Sequence, residues 1–210
     1  MKLYLSSYGI PDPQTFSEFV GKSLTDIRFG LVFNAKDHKP EEERQQKLSE
    51  ALDYFGGMGC KVEQINLLDY VGKASELLAK FKQLDVLWFA GGNTYVLRWA
   101  VAKSNAEEAI KEALNSGVIY GGESAGAILA GPTLKHYEAA DEPGAAPEAI
   151  YGALGLVNVA IVPHWGSEKY AQVLASIERG LKADGHTTIR LTDSEYLLVT
   201  DNEMAKGSVG

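Results

Sequence analysis

Apolar and polar positions follow two alternating patterns along the chain, which predict strands and helices in turn. Short apolar runs bounded by turn residues predict strands, and they cover 2–8, 28–35, 61–67, 85–90, 118–122, 157–162, 187–191 and 196–200. Between them, helical spacing or helix-starting residues predict helices over 40–55, 75–83, 94–103, 106–116, 125–130 and 167–183. Gly56 and Gly57 are expected to stop the first of these helices.

The regular change from strand to helix indicates an α/β fold with a mostly parallel sheet and helices on both faces. In such sheets, binding and catalytic sites form at the carboxyl ends of the strands. No linker or internal repeat divides the sequence, so one domain over residues 1–210 is expected. The segment 132–147 is long and irregular, which is typical of a functional or mobile loop.

Composition narrows the possible functions. The chain has 210 residues with 45% hydrophobic content and no apolar run long enough for a membrane span, and no secretory leader is expected. Its single cysteine, Cys60, fits a reducing compartment, so a cytoplasmic location is expected. The four histidines show no metal-ligand spacing, and no cofactor is expected. A net charge of −8 argues against a nucleic-acid partner.

A candidate nucleophile lies between a predicted strand and a predicted helix. The run from Gly122 through Glu123, Ser124 and Ala125 to Gly126 has the G-x-S-x-G pattern of a nucleophile elbow. A sharp turn of this kind exposes the serine hydroxyl and needs glycines where side chains would collide. The amide of Ala125, at a helix N-terminus, is then a candidate oxyanion donor. A tight turn with an incidental serine is the alternative.

A second glycine pair, Gly91-Gly92, ends the strand predicted over 85–90 and is followed by Asn93 and Thr94. Two glycines allow the backbone to approach a ligand, and the Gly92 N–H is a candidate second oxyanion donor. Asn93 or Thr94 is equally suited to cap the helix that follows, and both interpretations can hold together.

A serine nucleophile needs a base, and His164 is the favoured one. It follows the apolar strand 157–162 and is expected at the same sheet edge as Ser124, whereas the other histidines lie in charged, loop or turn segments. The carboxylate that orients the base is predicted to be Asp193, just after the strand 187–191. Three other carboxylates remain alternatives: Asp141, Glu138 and Glu195.

These motifs resemble the peptidase E family of serine peptidases, which includes dipeptidase E and, more distantly, cyanophycinase. The matching segments are 91–94, 122–127, 129–133, 163–164 and 189–199, in the family's order over most of the chain. The resemblance implies a fold like that of class I glutamine amidotransferases, a three-layer sandwich. It also implies cleavage of short peptides after an N-terminal aspartate by Ser124, His164 and Asp193, with the amides of Gly92 and Ala125 as oxyanion donors.

The chain departs from the family pattern at three places. Asp193 stands where dipeptidase E has glutamate, and the loop aspartate tied to activity has only Asp141 or Glu138 as counterparts. The arginine-bearing segment after the histidine is replaced by a shorter one in which Lys169 is the nearest cation. Lys169 and Arg98 are candidates for binding a substrate carboxylate, and Asn93 is a further candidate for substrate binding.

The sequence therefore predicts a serine peptidase whose partner is a small peptide, and it does not decide between a monomer and a homodimer. A serine esterase or amidase with another acyl substrate is one alternative. A non-catalytic binding protein of the same fold is another. A nucleotide-binding protein ranks lower because neither G-x-G-x-x-G nor G-K-[ST] occurs.

Overall fold

The computed structural model describes residues 1–209. Its strands are β1 (Leu3–Ser6), β2 (Arg28–Val32), β3 (Lys61–Ile65), β4 (Val86–Phe89), β5 (Ile119–Glu123), β6 (Val159–Val162), β7 (Thr187–Arg190), β8 (Glu195–Val199) and β9 (Met204–Ser208). Its helices are α1 (Pro13–Val20), α2 (Glu41–Gly57), α3 (Ala74–Phe81), α4 (Thr94–Lys103), α5 (Ala106–Asn115), α6 (Ala125–Leu129) and α7 (Ala171–Ala183).

Seven of the strands form one sheet in the order β3-β2-β4-β5-β1-β8-β9. The first five in this order are parallel, β8 runs antiparallel to β1, and β9 runs antiparallel to β8. The predicted α/β class with a mostly parallel sheet is confirmed. The order places β4, β5 and β1 side by side, so their carboxyl ends share one edge.

The sheet is covered on both faces because its central strands are apolar on both sides. In β4, Val86 and Trp88 face a core that includes Phe16 of α1 and Phe55 of α2. Leu87 and Phe89 of the same strand face the other core, which is completed by side chains of α3, α4, α5 and α6. Four consecutive buried residues thus place helices above and below the same strand.

The strands β6 and β7 form a separate two-stranded parallel sheet. The expectation that His164 lies at the same sheet edge as Ser124 is therefore wrong in its topology, because β6 does not join the main sheet. A third core attaches this pair to the body through α7 and residues of α4 and α6, among them Leu181, Val96 and Ile128. Ser124 and His164 still meet, although they follow strands of two different sheets.

Several element boundaries also differ from the prediction. The helix α2 runs through Gly56 and Gly57, and the turn after it is made by Gly59 at a φ of 96°. The helix predicted from 167 begins at 171, after a 3₁₀ turn over 168–170. The helix α1 and the strand β9 were not predicted. Within the described part of the chain, none of the helices is long and apolar enough to cross a bilayer.

Candidate active site

The carboxyl ends of β1, β4 and β5 bring three polar segments together. Ser7 follows β1, Gly91 follows β4, and Ser124 follows β5. The parallel register pairs Ser6 with Glu123, so Ser7 lies beside Ser124 at the sheet edge. A hydrogen bond from the Ser124 N–H to the Ser6 carbonyl (3.1 Å) extends this pairing into the turn.

Ser124 occupies a strained position at the junction of β5 and α6. Its φ of 49° and ψ of −110° lie outside the regions that residues with a side chain usually adopt. The turn is possible because Gly126 has no side chain: a Cβ there would lie 2.0 Å from the carbonyl oxygen of Phe89. Tight packing of α6 against β4 thus holds the serine at the end of the sheet.

Ser124, His164 and Asp193 form a hydrogen-bonded chain. The Nε2 atom of His164 lies 2.9 Å from Ser124 Oγ, and its Nδ1 atom lies 2.8 Å from Asp193 Oδ1. With Nδ1 protonated, the ring donates to the carboxylate and accepts the serine hydroxyl. This is the arrangement in which an imidazole acts as general base toward a serine.

The register of the small sheet explains why His164 meets Asp193. Val162 pairs with Arg190, so the segments after β6 and β7 leave the sheet side by side. The Trp165 N–H then donates to the Leu191 carbonyl (2.9 Å), which fixes the two turns against each other. His164 itself has a φ of 58°, in the left-handed region, and its ring reaches Ser124.

Ser7 is a fourth side chain in this site, and sequence reasoning missed it. Its Oγ donates to Asp193 Oδ1 (2.6 Å) and accepts the backbone N–H of His164 (2.7 Å). The same oxygen lies 3.3 Å from His164 Nδ1. Ser7 is fully buried. The one signal in the sequence was its position directly after a strand, which many structural serines share.

The environment of Asp193 favours its charged form. Burial raises the pKa of its carboxyl, but hydrogen bonds from Ser7 and His164 outweigh burial, and the pKa is lower than usual. A carboxylate beside Nδ1 keeps the ring in the tautomer whose Nε2 faces Ser124 and stabilises the imidazolium.

Two backbone amides in the site lack a partner. Among the described residues, neither the Gly92 N–H nor the Ala125 N–H makes a hydrogen bond. Ala125 begins α6 directly after Ser124, and Gly91 packs on Ser124, since a Cβ on it would lie 3.1 Å from Ser124 Cβ. An oxyanion hole requires free N–H groups, which is the role predicted for these two amides.

Glu123 and Lys36 frame the backbone around Ser124. Glu123 accepts the N–H of Gly9 (2.5 Å) through one oxygen and that of Gly91 (3.4 Å) through the other. The Lys36 ammonium donates to the Gly91 carbonyl. Burial lowers the pKa of Lys36, and the nearby Glu123 carboxylate opposes this effect. The side chains of Glu123 and Lys36 thus connect the loops after β1, β2 and β4.

The alternative carboxylates have other contacts. Asp141 accepts the N–H (2.9 Å) and the hydroxyl of Thr94 at the start of α4, and burial raises its pKa. Glu138 accepts the hydroxyl of Tyr95 at 3.0 Å. Glu195 accepts the Thr192 N–H at 2.7 Å and stabilises the turn that carries Asp193. Of the four carboxylates considered, Asp193 is the one hydrogen-bonded to His164.

The candidate substrate-binding residues are also in local contacts. Asn93 caps α4 by accepting the N–H groups of Tyr95 and Val96, and its amide donates to the Glu142 carbonyl. Lys169 lies over the ring of Tyr170, whose centre is 6.1 Å from that of His164.

The Arg98 side chain bonds to the Gly152 carbonyl and to Glu107. Of the two candidate cations, Lys169 is therefore the one linked to His164 through an aromatic neighbour, Tyr170.

A cleft of about 430 Å³ opens beside the elbow and is lined by Tyr8, Lys36, Tyr54 and Glu123, among others. A shallower depression of about 790 Å³ lies elsewhere, around Met1, Leu156 and Asp201. Neither lining includes Ser124, His164 or Asp193, but the 430 Å³ cleft is lined by Glu123, the residue next to Ser124.

Comparison with known proteins gives consistent matches. A model of peptidase family S51 matches residues 35–207. An uncharacterized peptidase of Pasteurella multocida is 25% identical over 206 residues, 96% of this chain and 94% of the relative. One from Listeria innocua is 28% identical over 132 residues, and the match spans 61% of each protein. Peptidase E of Streptomyces coelicolor is 33% identical over 95 residues, 45% of this chain and 38% of its own.

Solved structures match over the whole fold. A candidate peptidase E from Listeria monocytogenes superposes with a TM-score of 0.79 at 22% identity, covering 100% of this chain and 98% of its own. A peptidase from an acI-B1 actinobacterium superposes with a TM-score of 0.68 at 18% identity, covering 99% of this chain and 84% of its own. The chain thus has the three-layer fold resembling that of class I glutamine amidotransferases.

Proposed function

Since the chain belongs to peptidase family S51, we propose that it is a serine peptidase that hydrolyses short peptides through an acyl-enzyme on Ser124. The observation that carries the proposal is the continuous hydrogen-bonded chain from Ser124 through His164 to Asp193. The strained turn at Ser124 and the two free amides beside it add support.

The reaction follows from these positions. Ser124 Oγ attacks the peptide carbonyl while His164 Nε2 takes its proton, and Asp193 stabilises the imidazolium. The N–H groups of Gly92 and Ala125 hold the oxyanion of the tetrahedral intermediate. His164 then protonates the leaving amine as the C–N bond breaks. A water molecule, deprotonated by His164, attacks the acyl-enzyme, and the acid product leaves with Ser124 restored.

We further propose dipeptides with an N-terminal aspartate as substrates. This proposal rests on the resemblance to peptidase E and on the Streptomyces relative of that name. Lys169, which lies over the ring of Tyr170, a neighbour of His164, is the cation proposed to attract the substrate carboxylate.

The test is hydrolysis of a panel by wild type and Ser124→Ala. The panel holds Asp-Leu, Leu-Leu, Ala-Leu, an acetylated amide and an ester. Loss of a triad serine costs on the order of 10⁴–10⁶ in kcat, so turnover should disappear in the variant. Cleavage of Asp-Leu alone supports the aspartyl preference, and cleavage of the other dipeptides contradicts it. Turnover of the ester alone indicates an esterase.

Labelling by a fluorophosphonate separates an inactive protein from an unsuitable panel. Wild type should be labelled at Ser124, and His164→Ala should lose the labelling while keeping its thermal unfolding transition. Absence of both turnover and labelling in folded wild type would contradict the proposal and favour a binding protein.

A further inference from the structure

The peptide bond between Gly91 and Gly92 has little intrinsic preference for its orientation. Neither residue has a Cβ, so the peptide plane can rotate with little steric cost. Gly92 has a φ of 149°, and a Cβ there would lie 2.6 Å from the Ala35 carbonyl oxygen. The close approach of the 34–36 turn thus requires glycine, and glycine leaves the peptide free to turn.

The backbone on both sides of this peptide is held by hydrogen bonds to backbone carbonyls and, at the Gly91 N–H, to the Glu123 carboxylate. The Ala90 N–H donates to Val32 (3.0 Å), and the Asn93 N–H donates to Ala35 (2.8 Å). The Gly91 carbonyl, between these two points, instead accepts the ammonium of Lys36. Lys36 is itself held in place, since its nitrogen lies 4.6 Å from the centre of the Phe33 ring.

The orientation of this peptide decides whether a donor faces the nucleophile. Its C=O and N–H point in opposite directions because the bond is planar and trans. We infer that Lys36 is a positioning residue: by holding the Gly91 carbonyl on one side, it directs the Gly92 N–H toward the oxyanion on the other.

The charge on Lys36 has a second effect on the same peptide. A cation on the carbonyl oxygen polarises the peptide and makes its N–H a stronger donor. A rotated peptide would instead present its carbonyl dipole to the developing oxyanion and repel it. The inference rests on the proposed function for its kinetic consequence, but the orientation of the peptide can be measured without turnover.

The sequence makes that measurement selective. Labelling glycine with ¹³C at the carbonyl and ¹⁵N at the amide gives a correlated signal for each Gly–Gly peptide. The chain has three of them, at 56–57, 91–92 and 121–122. Lys36→Met should shift or broaden the Gly92 signal and leave the Gly57 signal in place. Lys47→Met is the matched control, because Lys47 lines the same cleft but pairs with Glu50.

Kinetics then test the consequence. Removing an oxyanion donor lowers kcat by about 10²–10³, so a donor that is only misdirected should lower it by about 10- to 100-fold. Lys36→Met should show this loss with KM within about threefold of wild type, while Lys47→Met keeps its kcat.

The outcomes are separable. An unmoved Gly92 signal in Lys36→Met overturns the inference, and so does a kcat that falls no further than in Lys47→Met. A shifted Gly92 signal in a protein that shows neither Ser124-dependent turnover nor fluorophosphonate labelling upholds the role of Lys36 in orienting the peptide and refutes the proposed peptidase chemistry instead.

Discussion

Ser7→Ala tests whether the fourth side chain of the site acts on the hydrogen-bonded chain or only on stability. The variant loses two hydrogen bonds of different kinds: one from the backbone N–H of His164, which is uncharged, and one to the Asp193 carboxylate, which is charged. A neutral hydrogen bond contributes about 0.5–1.5 kcal/mol, and one to a charged group about 1.5–3 kcal/mol.

The expected catalytic effect comes from the second bond. If it is needed to hold Asp193 against the imidazolium, its loss corresponds to roughly 10- to 150-fold in kcat/KM, at 1.36 kcal/mol per factor of ten. Because the Asp193 side chain is 60% exposed, water can replace part of the bond. We therefore expect the lower end, about tenfold.

The matched control is Ser6→Ala. Ser6 is also fully buried and donates to a single partner, the Gly9 carbonyl, at 2.6 Å. Both variants should lose on the order of 1–2 kcal/mol of unfolding free energy, measured by chemical denaturation. Only Ser7→Ala should lose kcat/KM on the best substrate of the panel. Equal losses of kcat/KM in the two variants would refute the reasoning.

Three further predictions concern the site and its frame. Asp193→Asn should lower kcat by about 10⁴ without changing thermal unfolding, since an amide favours the wrong imidazole tautomer; a loss under tenfold would contradict this. Gly126→Ala should cost at least about 2 kcal/mol in unfolding free energy through overpacking, whereas Gly152→Ala, which has open space around it, should cost much less. Hydrogen bonds from Arg190 lower the pKa of Glu178 from 4.5 to about 2, so its stabilisation is complete above pH 4.5 and is lost as the pH falls toward 2. Denaturation across this range should show a weaker pH dependence for Glu178→Gln.

Local patterns in the sequence were sufficient for most of the fold. Buried runs such as 85–90 predict central strands, and the elbow around Ser124 predicts a strand-to-helix turn, because both depend on residues a few positions apart. The helix α1 also had local signals, with Asp12 as N-cap, Pro13 in the first turn and Gly21 after its end.

The strand β9 cannot be predicted from local patterns. Its sequence of Met, Ala, Lys, Gly and Ser is largely exposed and has no apolar alternation. It is a strand because β8 offers an unpaired edge, to which it hydrogen-bonds in antiparallel register. The pairing partner, and not the residues of the segment, determines this element.

The residues of the site also divide into those that local patterns predict and those that only tertiary contacts bring together. The sequence by itself determined the elbow at Ser124 and the glycine pair at 91–92, because both are short-range requirements of a turn. Only the tertiary structure decided which carboxylate reaches His164, since that depends on the register of β6 and β7 in a second sheet. Ser7 contacts Asp193, which lies 186 positions away in the chain, and Lys36 contacts Gly91, which lies 55 positions away. Such contacts depend on how the elements pack, and no pattern within one segment contains them.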